Sequence, residues 1–533
     1  MVASDIVMSD IAPPRPADRT AAADRSARLV AALRRQLGAD GTPVTLIETH
    51  ISWVLLAGEQ AWKIKRPVNL GFLDFSSLAL RRFFCEEELR LNRRHAPQLY
   101  LGVLPVSGTP EAPEPGGDGV PIEYLLQMRR FPPRALLSER LADGRLQATD
   151  IEALARRVAK QHEASPRAAV DSGWGSAERI AGDARAVLQR LQQQGAAVDD
   201  LQSWLETTVA RLSPQWSGRL AEGWVRECHG DLHLRNAVVL DAAADDGVVA
   251  FDGLEFDPAL RWIDVQSDLA FMTMDLMAHR RDDLAMRWLD AWLTATGDVA
   301  GMALQRFYAI YRALVRAMVG RLHPEVAPEP GADDYLALAR RLALRPETPR
   351  LLVTHGLSGS GKSWLTLRLL ERCGALRLRS DVERKRLHGL AAQERSVGRV
   401  PGGIYGAEAS ERTYAALQQR ARSLLAAGWP VIVDAACLRR TEREAFRALA
   451  AELAVPFTLL DCQAAPATLQ QRVRQRQGLG QDPSEADLAV LARQIEFDEP
   501  LAADELATAI VCSTDDPALD LAALTARWGA AAR

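Results

Sequence analysis

The sequence predicts an α+β domain of two lobes followed by an α/β domain built on a parallel sheet. Three observations carry that expectation. Short β-rich runs before residue 130 give way to apolar positions at helical spacing as far as Arg321, and beyond Pro349 strand-like and helical segments alternate. Two loops of the kind that handle phosphates, His229–Asn236 and Gly356–Ser363, fall in these two different contexts. At 533 residues the chain also exceeds what one hydrophobic core holds, because cores stop growing near about 250–300 residues.

In chain order, residues 1–25 carry prolines and Asp5 and Asp10 but no basic segment followed by an apolar stretch, so they are expected to be a disordered tail and not a secretory signal. Ser52–Leu56 and Ala61–Ile64, joined by Ala57-Gly58-Glu59-Gln60, predict a hairpin. A charged amphipathic helix is expected over Leu78–Arg94, then strands over Leu101–Val106 and Ile122–Arg129 with an exposed Pro/Gly-rich loop, Ser107–Pro121, between them. Helical spacing dominates from Ala135 to Trp224, short strands are expected at Ala237–Leu240 and Val248–Phe251, and helices return to Arg321. A small β-rich lobe leading into a larger helical lobe around a catalytic loop is the layout of protein-kinase-like folds. The first domain is therefore placed at residues 26–345, with a small lobe 26–134 and a large lobe 135–345 that includes a helix bracketed by the proline-rich stretches His323–Ala332 and Arg345–Pro349. The second, 346–533, is expected to hold strands Leu351–Thr354, Ala375–Arg379, Val431–Val433, Phe457–Leu460 and Ala509–Cys512 in a parallel sheet covered on both faces.

Composition narrows the function classes. A 48% apolar and 25% charged chain has the balance of a folded protein. A net charge of -4 supplies no general basic field for a nucleic-acid backbone. Six cysteines scattered singly form neither a zinc pattern nor a disulfide framework, so reduced thiols and a cytoplasmic location are expected. No apolar run reaches the ~20 residues of a membrane span.

Gly356-Leu-Ser-Gly-Ser-Gly-Lys-Ser363 follows an apolar strand and opens a helix, the context that a phosphate-binding P-loop demands. Gly356, Gly359 and Gly361, with Ser358, Ser360 and Trp364 alongside, let backbone amides turn toward the phosphates of ATP; Lys362 reaches the terminal phosphates and Ser363 ligates Mg²⁺. Asp381, closing a strand one turn before Arg384, is the candidate base for an acceptor hydroxyl, and Asp434 the second Mg²⁺ contact. Arg472 and Arg476, four apart on a helix, are candidates to close over the triphosphate. His355 is read as structural. This part, from about Arg350 to Trp528, resembles P-loop kinases of the gluconate kinase, zeta toxin and polynucleotide kinase type, through the Gly-Lys-Ser loop, Ser380-Asp381-x-x-Arg384, Gly428-Trp-Pro-Val-Ile-Val-Asp434 and Asp482-Pro-Ser-Glu-Ala486. The resemblance implies that Asp381 supports the acceptor hydroxyl.

In His229-Gly-Asp-Leu-His-Leu-Arg-Asn236, Asp231 is spaced to orient or deprotonate a hydroxyl and Asn236 to ligate Mg²⁺. Asp252, ending Val248-Val-Ala-Phe-Asp252, is placed as the second metal ligand, with Asp257 a weaker candidate. Lys63, with Lys65 on the same strand face, is the candidate for the phosphates, paired with one of Glu86, Glu87 and Glu88, of which Glu88 is chosen. Asp264 and Asp268 are expected to brace the loop by hydrogen bonds. This half, Val44–Arg321, resembles the aminoglycoside phosphotransferase and choline kinase superfamily, and Glu48-Thr-His-Ile-Ser-Trp-Val54, Gly71-Phe-Leu-Asp-Phe75 and Glu88-Leu-Arg-Leu-Asn92 look like a branch often fused to the P-loop kinase above. Together these readings imply a bifunctional phosphotransferase that uses ATP and Mg²⁺ on small-molecule hydroxyls. Two alternatives are carried beside it: one half acting as a nucleotide sensor for the other, and a nucleic-acid end kinase suggested by the basic cluster Arg377, Arg379, Arg384, Lys385 and Arg386.

Overall fold

The computed structural model describes residues 16–71, 73–241, 244, 247–322, 335–344, 349–396, 404–479 and 482–530. The chain divides into two compact units, Met1–His279 with Arg306–Leu344, and Arg280–Gln305 with Arg345–Arg533.

The first unit opens with the helix Pro16–Leu37 and strands β1 (Val44–Glu48), β2 (Ser52–Ala57) and β3 (Gln60–Lys65); the helix Leu78–His95 then precedes β4 (Tyr100–Gly108), β5 (Pro113–Pro115) and β6 (Glu123–Arg129). The six strands form one antiparallel sheet in the order β1-β2-β3-β6-β4-β5. Gly58, at φ 54°, makes the two-residue turn between β2 and β3, because a tight hairpin needs a residue tolerant of positive φ. Leu29, Val30 and Leu33 of the first helix pack with Trp53, Leu55, Ile64, Val106 and Leu125 of the sheet. Residues 16–25, expected within a tail, are therefore helical, and residues 1–15 lie outside the described residues. The loop expected over Ser107–Pro121 contains β5, which pairs with β4 at the sheet edge, where prolines are tolerated.

Beyond the sheet, the first unit is mainly helical, with Ala148–Ala164, Ala177–Gln193, Asp199–Ala221 and Val265–Ala278. Four three-residue strands interrupt it: β7 (Val225–Glu227), β8 (Ala237–Val239), β9 (Val248–Ala250) and β10 (Trp262–Asp264), in the antiparallel pairs β7–β10 and β8–β9. These two ribbons flank the loop His229–Asn236 and present Asp252 just past β9. The bracketed helix is Tyr335–Leu344; the proline-rich residues 323–334 and 345–348 beside it lie outside the described residues.

In the second unit β11 (Leu351–His355), β12 (Leu376–Arg379), β13 (Val431–Asp434), β14 (Phe457–Gln463) and β15 (Ile510–Ser513) form a parallel sheet ordered β12-β13-β11-β14-β15. Every residue of β11 is buried, as a strand covered on both faces requires. The connection from β11 runs to one side, to β12, and that from β13 to the other, to β14, so the loop after β11 lies at the topological switch point, where open α/β sheets bind ligands. Residues 280–305, expected in the large lobe of the first domain, belong to this unit. Their helix Asp282–Thr296 packs on the helix Lys362–Cys373 and on β12, where Arg287 Nη1 meets Glu371 Oε1 at 2.6 Å.

Candidate functional site

In the second unit the P-loop is shaped by three glycines at positive φ, Gly356 (137°), Gly359 (86°) and Gly361 (83°). A Cβ on Gly356 would lie 2.4 Å from Cys462 O, and one on Gly359 would lie 2.6 Å from Leu469 O, so neither the conformation nor the space admits a side chain. Gly361 precedes the helix Lys362–Cys373 without a capping side chain, which leaves the first-turn amides and the helix dipole for an anion. Lys362 Nζ donates to Gly356 O and Leu357 O, both at 2.7 Å. Burial holds its ammonium below the usual lysine range.

A cavity of about 220 Å³ is lined by Lys362, Ser363, Trp364, Asp381, Asp434, Arg472 and Arg476, among others. It joins all the expected groups of this half except the loop's turned-in Gly356 and Ser360. Asp434 is 4% exposed and its Oδ2 has no hydrogen-bond donor. Arg379 Nε stands 3.4 Å and Arg377 Nη1 3.8 Å from that oxygen, giving charge without a bond. Hard oxygen ligands beside a P-loop serine fit a divalent cation. Arg472 holds the loop itself, donating to Gly359 O at 3.2 Å and Thr514 Oγ1 at 2.8 Å, while Arg476 donates to Ala486 O at 2.8 Å. His355 is clamped by Asp461 (2.7 Å) and Asp498 (3.3 Å) beneath the loop.

Sequence reading missed Gln494, whose Oε1 accepts from Ser358 N at 2.8 Å, and Tyr405 and Tyr414 in the cavity wall. These come from distant segments and carry no local signal. The basic cluster is not an exposed patch. Arg377 pairs with Asp290, Arg379 with Asp482, Lys385 with Glu485 and Arg386 with Glu383, and Arg384 donates to Ile404 O and Ser410.

In the first unit Glu88, fully buried on the helix Leu78–His95, accepts from both candidate lysines: Lys63 Nζ at 2.8 Å on Oε1 and Lys65 Nζ at 2.7 Å on Oε2. The neighbouring acids point elsewhere, Glu86 to Arg82 and Glu87 to Arg90 and Arg261. Lys63 also donates to Asp252 Oδ1 at 2.7 Å, and Lys65 to Glu255, a residue sequence reading did not single out. Burial works against the Lys63 ammonium, but Asp252 and Glu88 outweigh it and hold the group well above the usual lysine range. Asp252 adopts φ 60°, a conformation that costs a non-glycine residue on the order of 1–3 kcal/mol. It is kept there by Tyr100 Oη, which accepts from Asp252 N at 3.0 Å, and by Asn92 Oδ1, which accepts from Gly253 N at 2.7 Å.

Asn236 Nδ2 donates to Asp231 Oδ2 at 2.9 Å, so these two are adjacent. Asp268 accepts from His229 N (3.2 Å) and Gly230 N (2.8 Å) and meets His162 Nε2 at 3.1 Å, bracing the loop. Asp264, expected to share that task, instead pairs with Arg219 at 2.6 Å, and the bracing is completed by Asp275, which accepts from Leu234 N at 2.9 Å. Asp257 caps the helix Pro258–Arg261 by accepting from Ala259 N at 2.8 Å, which accounts for it without a metal.

A glycine-cradled P-loop on a parallel sheet and a separate Lys–Glu–Asp constellation under an antiparallel sheet define a protein with two kinase-like units. Residues 351–501 match the family model described as AAA domain. Over 475 residues the chain is 30% identical to uncharacterized proteins of Mycobacterium tuberculosis (strain ATCC 25618 / H37Rv) and Mycobacterium bovis, covering 86% of this chain and 93% of theirs, and it belongs to the same family as these mycobacterial proteins. Solved structures similar to parts of it include a gluconokinase from Sinorhizobium meliloti 1021 (22% identity, 35% of this chain and 93% of that one, TM-score 0.25). A choline/ethanolamine kinase family protein from Mesorhizobium loti is also similar (13% identity, 60% and 96%, TM-score 0.36). Among the described residues no helix is long and apolar enough to cross a membrane.

Proposed function

We propose that the protein is a bifunctional ATP-dependent phosphotransferase, each unit moving a γ-phosphoryl group to a hydroxyl of a small molecule. The observation that carries the reading is the recurrence, in two separate folds, of a lysine held beside aspartates and a second oxygen-bearing side chain: Lys362 with Asp381, Asp434 and Ser363 around one cavity, and Lys63 bonded to Asp252 with Asp231 and Asn236 paired on the adjoining loop. When bound, ATP with Mg²⁺ supplies the transferable group and offsets its charge.

In the second unit Lys362 exchanges its loop carbonyls for the terminal phosphates, and Ser363 and Asp434 hold the metal. The amides of Gly359 and of the helix start at Gly361–Trp364 would cradle the phosphates with Arg472 and Arg476 beside them, and Asp381 would take the proton of the acceptor hydroxyl. In the first unit Lys63 positions the phosphates, with Glu88 fixing its ammonium and Lys65 fixing Glu88. Asn236 and Asp252 hold the metal, and Asp231 orients and deprotonates the second acceptor. The inward pairing of Arg377, Arg379, Arg384, Lys385 and Arg386 favours a small acceptor over a polynucleotide.

The test is a metabolite-pool screen with γ-labelled ATP on the intact protein and on Lys362→Ala and Asp231→Asn. Each variant is expected to lose one set of labelled products, with Asp231→Asn costing about 10²–10⁴-fold in rate, and to keep the other. Full retention of both product sets in either variant removes that unit from catalysis.

A further inference from the structure

Beside Ser363 and Asp434 lies a buried ion pair whose carboxylate comes from a distant segment, Asp290 with Arg377. Arg377 on β12 is 7% exposed and reaches several groups of the second unit. It donates to Ser363 O at 3.1 Å and Thr366 Oγ1 at 3.4 Å, stands 3.8 Å from the unbonded Asp434 Oδ2, and is gripped by Asp290 through Nη2–Oδ2 at 2.7 Å and Nε–Oδ1 at 3.3 Å. Asp290, 5% exposed, is on the helix Asp282–Thr296, whose surrounding residues are anchored within the same unit. Arg386 donates to Thr294 O at 2.8 Å, Arg420 to Gly297 O at 2.9 Å and the Trp429 indole to Met302 O at 3.0 Å. A buried guanidinium takes its strongest available carboxylate. With Asp290 present, that carboxylate is not Asp434.

We infer that Asp290 is a positioning residue for the metal face of the P-loop: by occupying Arg377 it keeps Asp434 available to a divalent cation and fixes the Ser363 backbone. The inference rests on the reading of Ser363 and Asp434 as metal-holding residues. If Asp290 loses its charge, Arg377 turns to Asp434 and competes with the cation.

The experiment titrates Mn²⁺ by electron paramagnetic resonance into the full chain saturated with a non-hydrolysable ATP analogue. Lys362→Ala identifies which class of sites belongs to the P-loop. Asp290→Asn is expected to weaken Mn²⁺ in that class by about tenfold or more while the analogue alone, in EDTA, binds as before; Asp290→Glu stays near the native value. The double variant Asp290→Asn/Arg377→Met, which removes the competing cation, is expected to recover most of the Mn²⁺ affinity. If the single variant fails to fold, the double variant decides, and near-native Mn²⁺ affinity in it supports the inference. Native Mn²⁺ affinity in Asp290→Asn overturns the inference, as does a double variant as weak as Asp434→Ala. If Asp434→Ala itself leaves Mn²⁺ affinity unchanged, it is the metal-holding reading that fails.

Discussion

At the residue scale, the chemistry depends on groups held in costly states by specific partners. Asp268 is the clearest case. Burial acts to raise its pKa, but the His162 hydrogen bond, the nearby imidazoles and the Gly230 amide outweigh burial and hold the carboxyl at about 2. A folded-state value below the unfolded value of about 3.9 means that its stabilisation, about 2 kcal/mol, is fully present above pH 4 and is lost as pH falls from 4 toward 2. Asp268→Asn is therefore expected to lower the melting temperature at pH 7 and to flatten the acid side of the stability profile over that window, as read by circular dichroism; an unchanged profile would count against the bracing role. The sequence placed Lys63 and Lys65 on one strand face and favoured Lys63, but it could not show what Lys65 does: Glu88 has two oxygens and serves both lysines, which strand periodicity cannot reveal. Asp252 was legible as a carboxylate ending a strand, whereas its left-handed backbone and its bond to Lys63 depend on Tyr100 and Asn92 from other elements.

At the scale of elements, the strand β11, the glycine loop and the helix Lys362–Cys373 were readable because a contiguous segment supplies the whole motif. The cost of breaking it is equally local. Gly359→Ala adds a Cβ at 2.6 Å from Leu469 O in a residue at φ 86°, so the loop must shift or carry strain of about 1–3 kcal/mol. Calorimetry with a non-hydrolysable ATP analogue should show the P-loop affinity falling about tenfold or more; unchanged affinity would show that the loop's turn is not what holds phosphate. Among the elements that escaped sequence reading, β7 and β10 are three-residue strands that each hold a charged residue and so lack the apolar run that reveals the equally short β8 and β9, and the prolines of β5 disguise an edge strand.

At the scale of the whole molecule, two nucleotide-binding architectures were legible from two motifs in two contexts, but the division of the chain was not. The helix Asp282–Thr296 is amphipathic, and such a pattern says that a face is buried without saying against which core. Its tertiary partners, among them Arg377 for Asp290, Glu371 for Arg287 and Arg386 for the Thr294 carbonyl, assign it to the second unit. A fragment of residues 346–533 consequently lacks the Asp290 carboxylate of a buried ion pair with Arg377, a loss on the order of 3–5 kcal/mol, and is expected to unfold at lower temperature and lower denaturant than the second unit does in the intact chain. Equal stability of the fragment would show that residues 280–305 are dispensable.

The central claim is that this polypeptide holds two independent nucleotide sites. Calorimetric titration of the intact chain with a non-hydrolysable ATP analogue and Mg²⁺ tests it most directly, alongside Lys362→Ala and Lys63→Met. The expected result is two bound analogues per chain, with each variant losing one and keeping the other. A stoichiometry of one, abolished by Lys362→Ala and untouched by Lys63→Met, would contradict it.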